Sequence, residues 1–490
     1  MPCTEKFWLA NTGPHDFEVD WDQIALPSMT PTPDYQRGSA TRTRGAGYTR
    51  KCYLPPRRCT PTFMVRLVPI IFFLTYLTAT VLIFAFGPWP YRIKDGTKLY
   101  TFLTAAHLAL LAGYLSVIGR SGQGYSGRWP VKRLVAVSLG VNLAILYPSA
   151  MFRVGRLGGH LIRGTVSLGD AYASSGAARL EGTPVIEYIR FFLGPWLALT
   201  LPLGVFYWNF LSKEVRVLWV LWVLGFMGTY VLMGTNQGFA YIVLLCPWLV
   251  AASHFAGITR LQWNRKIALS VAAAILFVLF FLFFTETQST RGGGSVATRY
   301  SRAGNIWADD GNFMVRNLSG KSKRFVLSLA SYLSHGYYGL YLALNKPFVP
   351  TFGVGNSYFL TRQAVRLTGD KALAQAPYPM RIEREGWYAY GLWSSIYPWI
   401  ASDVSFPGTL LVVFLIGRVF ALCWLDTLQG ANPFAVAMFA QFVIMLFYFN
   451  ANNQCLHAGE GFAAFSILLI LWLTTRRRLD YGVRRRTVWN

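Results

Sequence analysis

Residues 325–344 read FVLSLASYLSHGYYGLYLAL, twenty residues with no formal charge when histidine is neutral. Whether this stretch crosses a membrane decides the topology of everything after it. Ser328, Ser331, Ser334, His335 and Tyr338 fall at helical spacing on one side, with Phe325, Leu329, Tyr332, Leu333 and Leu340 elsewhere. That pattern predicts an amphipathic interfacial or re-entrant helix whose polar stripe faces a cavity, rather than a span. Counting it as a span would also send the C-terminal sequence RRRLDYGVRRR (476–486) to the outer side, against the positive-inside rule.

On either side of it the chain alternates apolar runs with short polar connectors. Of 490 residues, 53% are hydrophobic and only 14% are charged, against about 25% charged in a soluble domain. This composition predicts an all-α polytopic membrane protein. Apolar runs lie at roughly 65–86, 100–118, 134–152, 191–210, 215–233, 239–255, 267–284, 407–425, 433–449 and 459–474, each near the ~20 residues needed to cross the hydrocarbon core. About ten spans put both termini on one side. Arg120, Arg128, Lys132 and Arg133 after the second run, Lys213 and Arg216 after the fourth, and Arg260, Arg265 and Lys266 after the sixth make that side the cytoplasm.

The predicted organisation is a disordered basic cytoplasmic tail (1–64), seven spans (65–284) with an outward loop at 153–190, a large outward loop (285–406), three spans (407–475) and a second basic tail (476–490). The net charge of +25 is explained by topology and anionic lipid headgroups, so no nucleic-acid partner is implied. Between residues 37 and 58 there are seven basic residues and no acidic one, which suits a segment lying on anionic lipid. The six cysteines form no CxxC pair and no Cys/His metal spacing, so neither a disulfide framework nor a zinc site is expected.

Chemistry is expected in 285–406, the one long interruption of the apolar pattern, because long loops on a rigid scaffold carry function disproportionately. An outward cavity lined by guanidinium groups suits a lipid diphosphate, which arginine grips bidentately. Glycosyl transfer from a polyprenyl-diphosphate sugar then needs no metal, because arginines stabilise the leaving diphosphate. No cofactor is expected. Asp309 and Asp310 are adjacent rather than spaced as DxD, and a GxxxxGK phosphate loop is absent.

Four short motifs carry a resemblance. SYLSHGYYGLYLAL (331–344) with TFGVGNS (351–357), LMGTNQG (232–238), TQSTRGG (287–293) and WSSIYPWIASDVSFPG (393–408) resemble Wzy-type bacterial O-antigen polymerases, which polymerise oligosaccharide repeat units and are related to O-antigen ligases. The resemblance covers about 65–475. It implies a C-type membrane glycosyltransferase of the bacterial inner membrane that moves a polyprenyl-diphosphate-linked glycan onto a second lipid-linked acceptor, with membrane lipids, a chain-length regulator and a flippase as possible partners. The near alternative is a ligase, and the alternative of another class is a flippase or transporter of lipid-linked glycans. A transporter usually shows two similar halves, and none is found here.

Arg291 is a candidate catalytic residue because three glycines follow it and let a headgroup approach the backbone; a snorkelling arginine is the plainer reading. Arg299, Arg302, Arg381 and Arg384 are candidate diphosphate or glycan ligands, although Glu383 and Glu385 are placed to neutralise the last two. Arg156 and Arg163 in the 153–190 loop are candidates for the acceptor lipid. His335 is a candidate general base against the commoner role of a packed histidine. Glu460 is a rival base, since an acid at a membrane edge is costly unless paired, and His457 is its expected partner. Trp387, Tyr388, Tyr390, Trp393, Tyr397 and Trp399 read mostly as an interfacial aromatic belt.

Overall fold

A computed structural model describes residues 62–127, 129–154, 167–173, 185–259, 262–291, 299–300, 306–389 and 391–477. Every apolar run is helical. In chain order the helices are α1 (Phe63–Phe86), α2 (Thr97–Leu115), α3 (Val131–Val154), α4 (Val185–Phe206), α5 (Lys213–Leu232), α6 (Gln237–Phe255) and α7 (Trp263–Arg291). They are followed by α8 (Gly320–Leu344), α9 (Tyr358–Thr368), α10 (Ile396–Leu425), α11 (Pro433–Phe447) and α12 (Gly459–Thr475). Among the described residues seven helices (α1, α3 to α7 and α10) are long and apolar enough to cross a membrane; α11 and α12 are shorter apolar helices. The chain is therefore a helical membrane protein.

Local chemistry sets several boundaries. Ser212 and Ser357 cap α5 and α9 by accepting the Val215 and Leu360 amides, and Asn432 caps α11 with Pro433 as its first residue. Two boundaries differ from expectation. Helix α7 runs on to Arg291, and α10 begins at Ile396 instead of 407. Within α10, Ser405 has φ 63° and ψ 171° ahead of Pro407, so the helix is two segments joined by a sharp kink.

The connectors gather at two ends. At one, residues 124–125 pair with 476–477 as antiparallel strands, the Gln123 amide donates to Asp426, and the Tyr207 hydroxyl donates to the Ala431 carbonyl. Buried Asp426 also accepts from Trp472 and Arg476 there. At the other end, the Asp309 amide donates to Pro88, Asn312 to Phe86, and the Ile396 amide to Phe449. Glycines allow the tightest crossing: a Cβ on Gly113 of α2 would fall 1.9 Å from the Phe414 oxygen of α10, and one on Gly417 2.2 Å from the Leu110 oxygen.

Helix α8 belongs to the second end and is not one of the seven membrane-length apolar helices. It lies along the α1–α2 connector: Trp89 Nε1 donates to the Leu327 carbonyl (3.0 Å), Tyr91 bonds Ser334 (3.1 Å), and the Lys94 amide donates to the Tyr341 hydroxyl (3.2 Å). These contacts advance seven residues each, two helical turns, so the connector follows one side of the helix. The expected orientation of its polar stripe is corrected. Ser334, His335 and Tyr338 are buried in protein. Gly336 and Gly339 explain why: Cβ atoms there would fall 2.0 Å from the Asn450 oxygen and 2.6 Å from the Ser394 Cα, so the 394–395 segment and the turn after α11 press onto α8.

Candidate functional site

Four charged side chains meet where the C-terminal end of α3 and the N-terminal ends of α4 and α12 come together. Arg153 Nε donates to Glu187 Oε1 (3.1 Å) and its Nη2 to Glu460 Oε2 (3.3 Å). Arg190 places Nε and Nη2 2.9 and 2.5 Å from the same Glu460 oxygen, while its Nη1 donates to Ser149 Oγ (2.9 Å). The helices favour this arrangement. Glu187 and Glu460 occupy first turns and Arg153 a last turn, each sign suiting its end of the helix dipole. All four side chains are at most 29% exposed, and such burial is tolerable because the charges balance. The expected Glu460–His457 pairing is thus corrected: the partners of Glu460 are two arginines. Arg190 and Glu187 went unread in the sequence, although their i, i+3 spacing at the head of an apolar run was a signal.

Beside this cluster lies a lining of tyrosine and glutamine. Gln237 and Gln454 both donate to the Tyr241 hydroxyl (3.0 and 3.1 Å), and Gln288 donates to Tyr332 (3.0 Å). Tyr230 lies near Arg153 on one side and near Tyr241 and Tyr448 on the other. The Tyr332 and Trp393 rings meet edge to face at 4.8 Å, and Trp393 in turn meets Tyr448 at 6.2 Å. Aromatic faces with amide and hydroxyl groups are suited to sugars.

His335 sits at the far end of that lining. Its Nδ1–H donates to the Ser331 carbonyl (2.7 Å), and its Nε2 accepts the Trp393 amide (3.0 Å). These two bonds fix the neutral tautomer, and burial holds the pKa down to about 4. Both in-plane positions of the ring are occupied by backbone. A general base needs a free lone pair, so this geometry gives His335 the work of pinning the 393–395 segment to α8.

The glycines of TFGVGNS have a similar explanation. Asp403 Oδ1 accepts the Gly353 and Gly355 amides (2.8 and 2.9 Å) and lies 2.5 Å from Thr351 Oγ1, while Oδ2 accepts the Asn356 amide and side chain (2.9 and 2.7 Å). The carboxylate folds the loop around itself.

The remaining candidates are scattered. Arg381 donates to the Pro347 carbonyl (2.8 Å) and lies over the Tyr378 ring at 4.5 Å, whereas Arg384 is exposed. Their expected neutralisation by Glu383 and Glu385 does not occur: Glu385 pairs with Lys346, and Glu383 accepts the Ala389 amide. Arg291 ends α7, and Arg299 lies in a two-residue strand paired with 306–307; the side chains of both lie outside the described ones. Arg302, Arg156 and Arg163 lie outside the described residues altogether. Among the described residues no three His, Cys, Asp or Glu side chains gather where a metal ion could sit.

His457 differs from His335. Its ring stacks on Tyr358 (5.4 Å, 18°) and meets Trp399 edge-on (5.4 Å, 84°), and burial holds its pKa down to about 4. Its Nδ1 is buried without a hydrogen-bond partner.

Compared with family models, curated proteins and solved structures, the chain matches none.

Proposed function

We propose that this protein is a ten-span inner-membrane glycosyltransferase, with both termini cytoplasmic, that polymerises polyprenyl-diphosphate-linked oligosaccharide repeat units on the outward face. The observation that supports this reading best is the convergence of Arg153 and Arg190 on a single carboxylate oxygen, at a junction of helix ends, beside the tyrosine and glutamine lining. Two guanidinium groups held around one anionic oxygen are prearranged for a diphosphate oxygen. In this reading Glu460 keeps the two guanidinium groups in place rather than acting as base. The neighbouring aromatic and amide groups receive the sugars, and α8 with the 393–395 segment closes the site from above. Arg291, Arg299 and Arg302 remain proposed further ligands of the diphosphate or glycan.

The test uses full-length protein in proteoliposomes with the lipid-linked repeat extracted from cells lacking the gene. The expected result is a ladder of longer lipid-linked glycans, formed in excess chelator as well. Products joined instead to an added lipid acceptor would identify a ligase. Transbilayer movement without a new glycosidic bond would identify a flippase and overturn the proposal.

A further inference from the structure

The turn 450–458 concentrates unsatisfied polar atoms. Asn452 Oδ1, Asn453 Oδ1 and His457 Nδ1 are all buried with no hydrogen-bond partner. An unpaired buried polar atom is destabilising, so three of them within six residues are not expected of a packing element. The turn is nevertheless tightly built. The His457 amide donates to the Asn453 carbonyl (3.0 Å), the Phe359 amide to the His457 carbonyl (3.1 Å), and Asn453 Nδ2 to the Asn356 carbonyl (2.8 Å). Asn453 and His457 are therefore stacked one helical turn apart against 356–359, and Tyr358 and Trp399 hold the imidazole ring from its face and its edge.

Among the described residues no hydrogen bond reaches either ring nitrogen of His457, unlike His335. One nitrogen, Nδ1, is buried without a partner, as are the Asn452 and Asn453 Oδ1 atoms of the same turn. His457 and Glu460 are three positions apart, so their Cα atoms lie within about 11 Å of each other, within the span of a sugar joined to a diphosphate. Burial keeps the ring neutral at physiological pH, so a lone pair is present.

We propose that His457 accepts the proton of the attacking sugar hydroxyl at Nε2, the ring nitrogen other than the buried Nδ1; this rests on the glycosyl-transfer reading. As the acceptor oxygen bonds to the anomeric carbon, the bond from that carbon to the diphosphate oxygen breaks. Its electron pair leaves with the diphosphate toward Arg153 and Arg190, and the hydroxyl proton passes to His457.

The experiment uses the full-length protein in proteoliposomes with the extracted lipid-linked repeat. His457→Ala should lower kcat by roughly a hundredfold or more while donor KM stays within about threefold, with added imidazole restoring part of the rate. Should His457→Ala fold poorly, His457→Gln keeps size and polarity and carries the same expectation. Wild-type turnover per folded molecule in His457→Gln would overturn the assignment and leave an ordered water as the occupant of the turn. If the wild-type protein forms no glycosidic bond, the glycosyl-transfer reading falls and takes this assignment with it.

Discussion

His335 and His457 sit at the same end of the helices, are both kept neutral by burial, and differ in what meets their ring nitrogens. His335 spends its donor on Ser331 and its lone pair on the Trp393 amide. His457 is clamped by Tyr358 and Trp399 through its ring and bonded through neither nitrogen. Burial alone therefore does not distinguish a structural imidazole from a chemical one; the partners of the lone pair do. The same contrast runs through the charges. The clustered guanidinium groups, Arg153 and Arg190, lie with Glu460 three residues beyond His457, whereas Arg381 stands, among the described residues, apart from any carboxylate, with one Nη on a carbonyl, its plane over a tyrosine, and Nε and Nη2 buried without a partner.

The largest expected effect breaks the contrast at the arginines. Arg190→Ala removes two of the donors on Glu460 and should lower glycan transfer by roughly 10²–10³-fold per folded molecule, the usual cost of deleting a prearranged anion donor. Arg190→Lys keeps the charge without the fork and should fall between that variant and wild type. Arg384→Ala, at an exposed side chain, should leave transfer within about twofold. Equal losses at Arg190 and Arg384 would dissolve the distinction between the two regions.

Much of this division was hidden in the sequence for physical reasons. The apolar runs were legible because a membrane-crossing helix must satisfy its backbone internally and present twenty or so apolar residues to lipid. The start of α10 was not, because Ser405 and Pro407 mark a break that the helix survives as a kink. Glu460 was legible as an acid needing a partner. Its partners were not, since Arg153 and Arg190 lie about three hundred residues away along the chain. The prominence of HGYYG and TFGVGNS comes from packing: Gly336 and Gly339 admit a neighbouring backbone, and Gly353 and Gly355 offer amides to Asp403. Cys455 in the same turn as His457 is buried with its thiol on the Gln441 carbonyl.

Next in size is a stability effect. His335→Ala removes the acceptor of the Trp393 amide and leaves that donor unpaired, at a cost of roughly 1–3 kcal/mol. The detergent-purified variant should melt several degrees lower and give less folded protein, while turnover per folded molecule stays near wild type. A large kcat loss in a variant that melts normally would return His335 to the chemistry.

A smaller effect is expected at Asp403. Asp403→Asn replaces an acceptor oxygen with a donor facing other donors, so the 351–356 loop should loosen without unfolding the helices. Amide exchange at Gly353, Gly355 and Asn356 should quicken by about tenfold, with exchange in α8 unchanged. Unchanged exchange at all three amides would show that the carboxylate is dispensable for the loop.

The smallest effect tests what the two histidines share. Each has a folded-state pKa of about 4, below the ordinary value of about 6.5. Between those values the unfolded chain binds a proton that the folded protein does not, so stability rises with pH across that window and falls as the pH is lowered from 6.5 toward 4. Above 6.5 neither state is protonated and the contribution is flat. Moving from pH 7 to 5.5 should therefore cost about 1 kcal/mol per histidine, seen as a lower melting temperature in detergent. His457→Phe preserves the stack on Tyr358 but cannot titrate, so it should remove about half of that slope while abolishing transfer. A slope unchanged by His457→Phe would mean that this ring is already protonated or solvated in the folded protein, and the likeness from which its contrast with His335 was drawn would be lost.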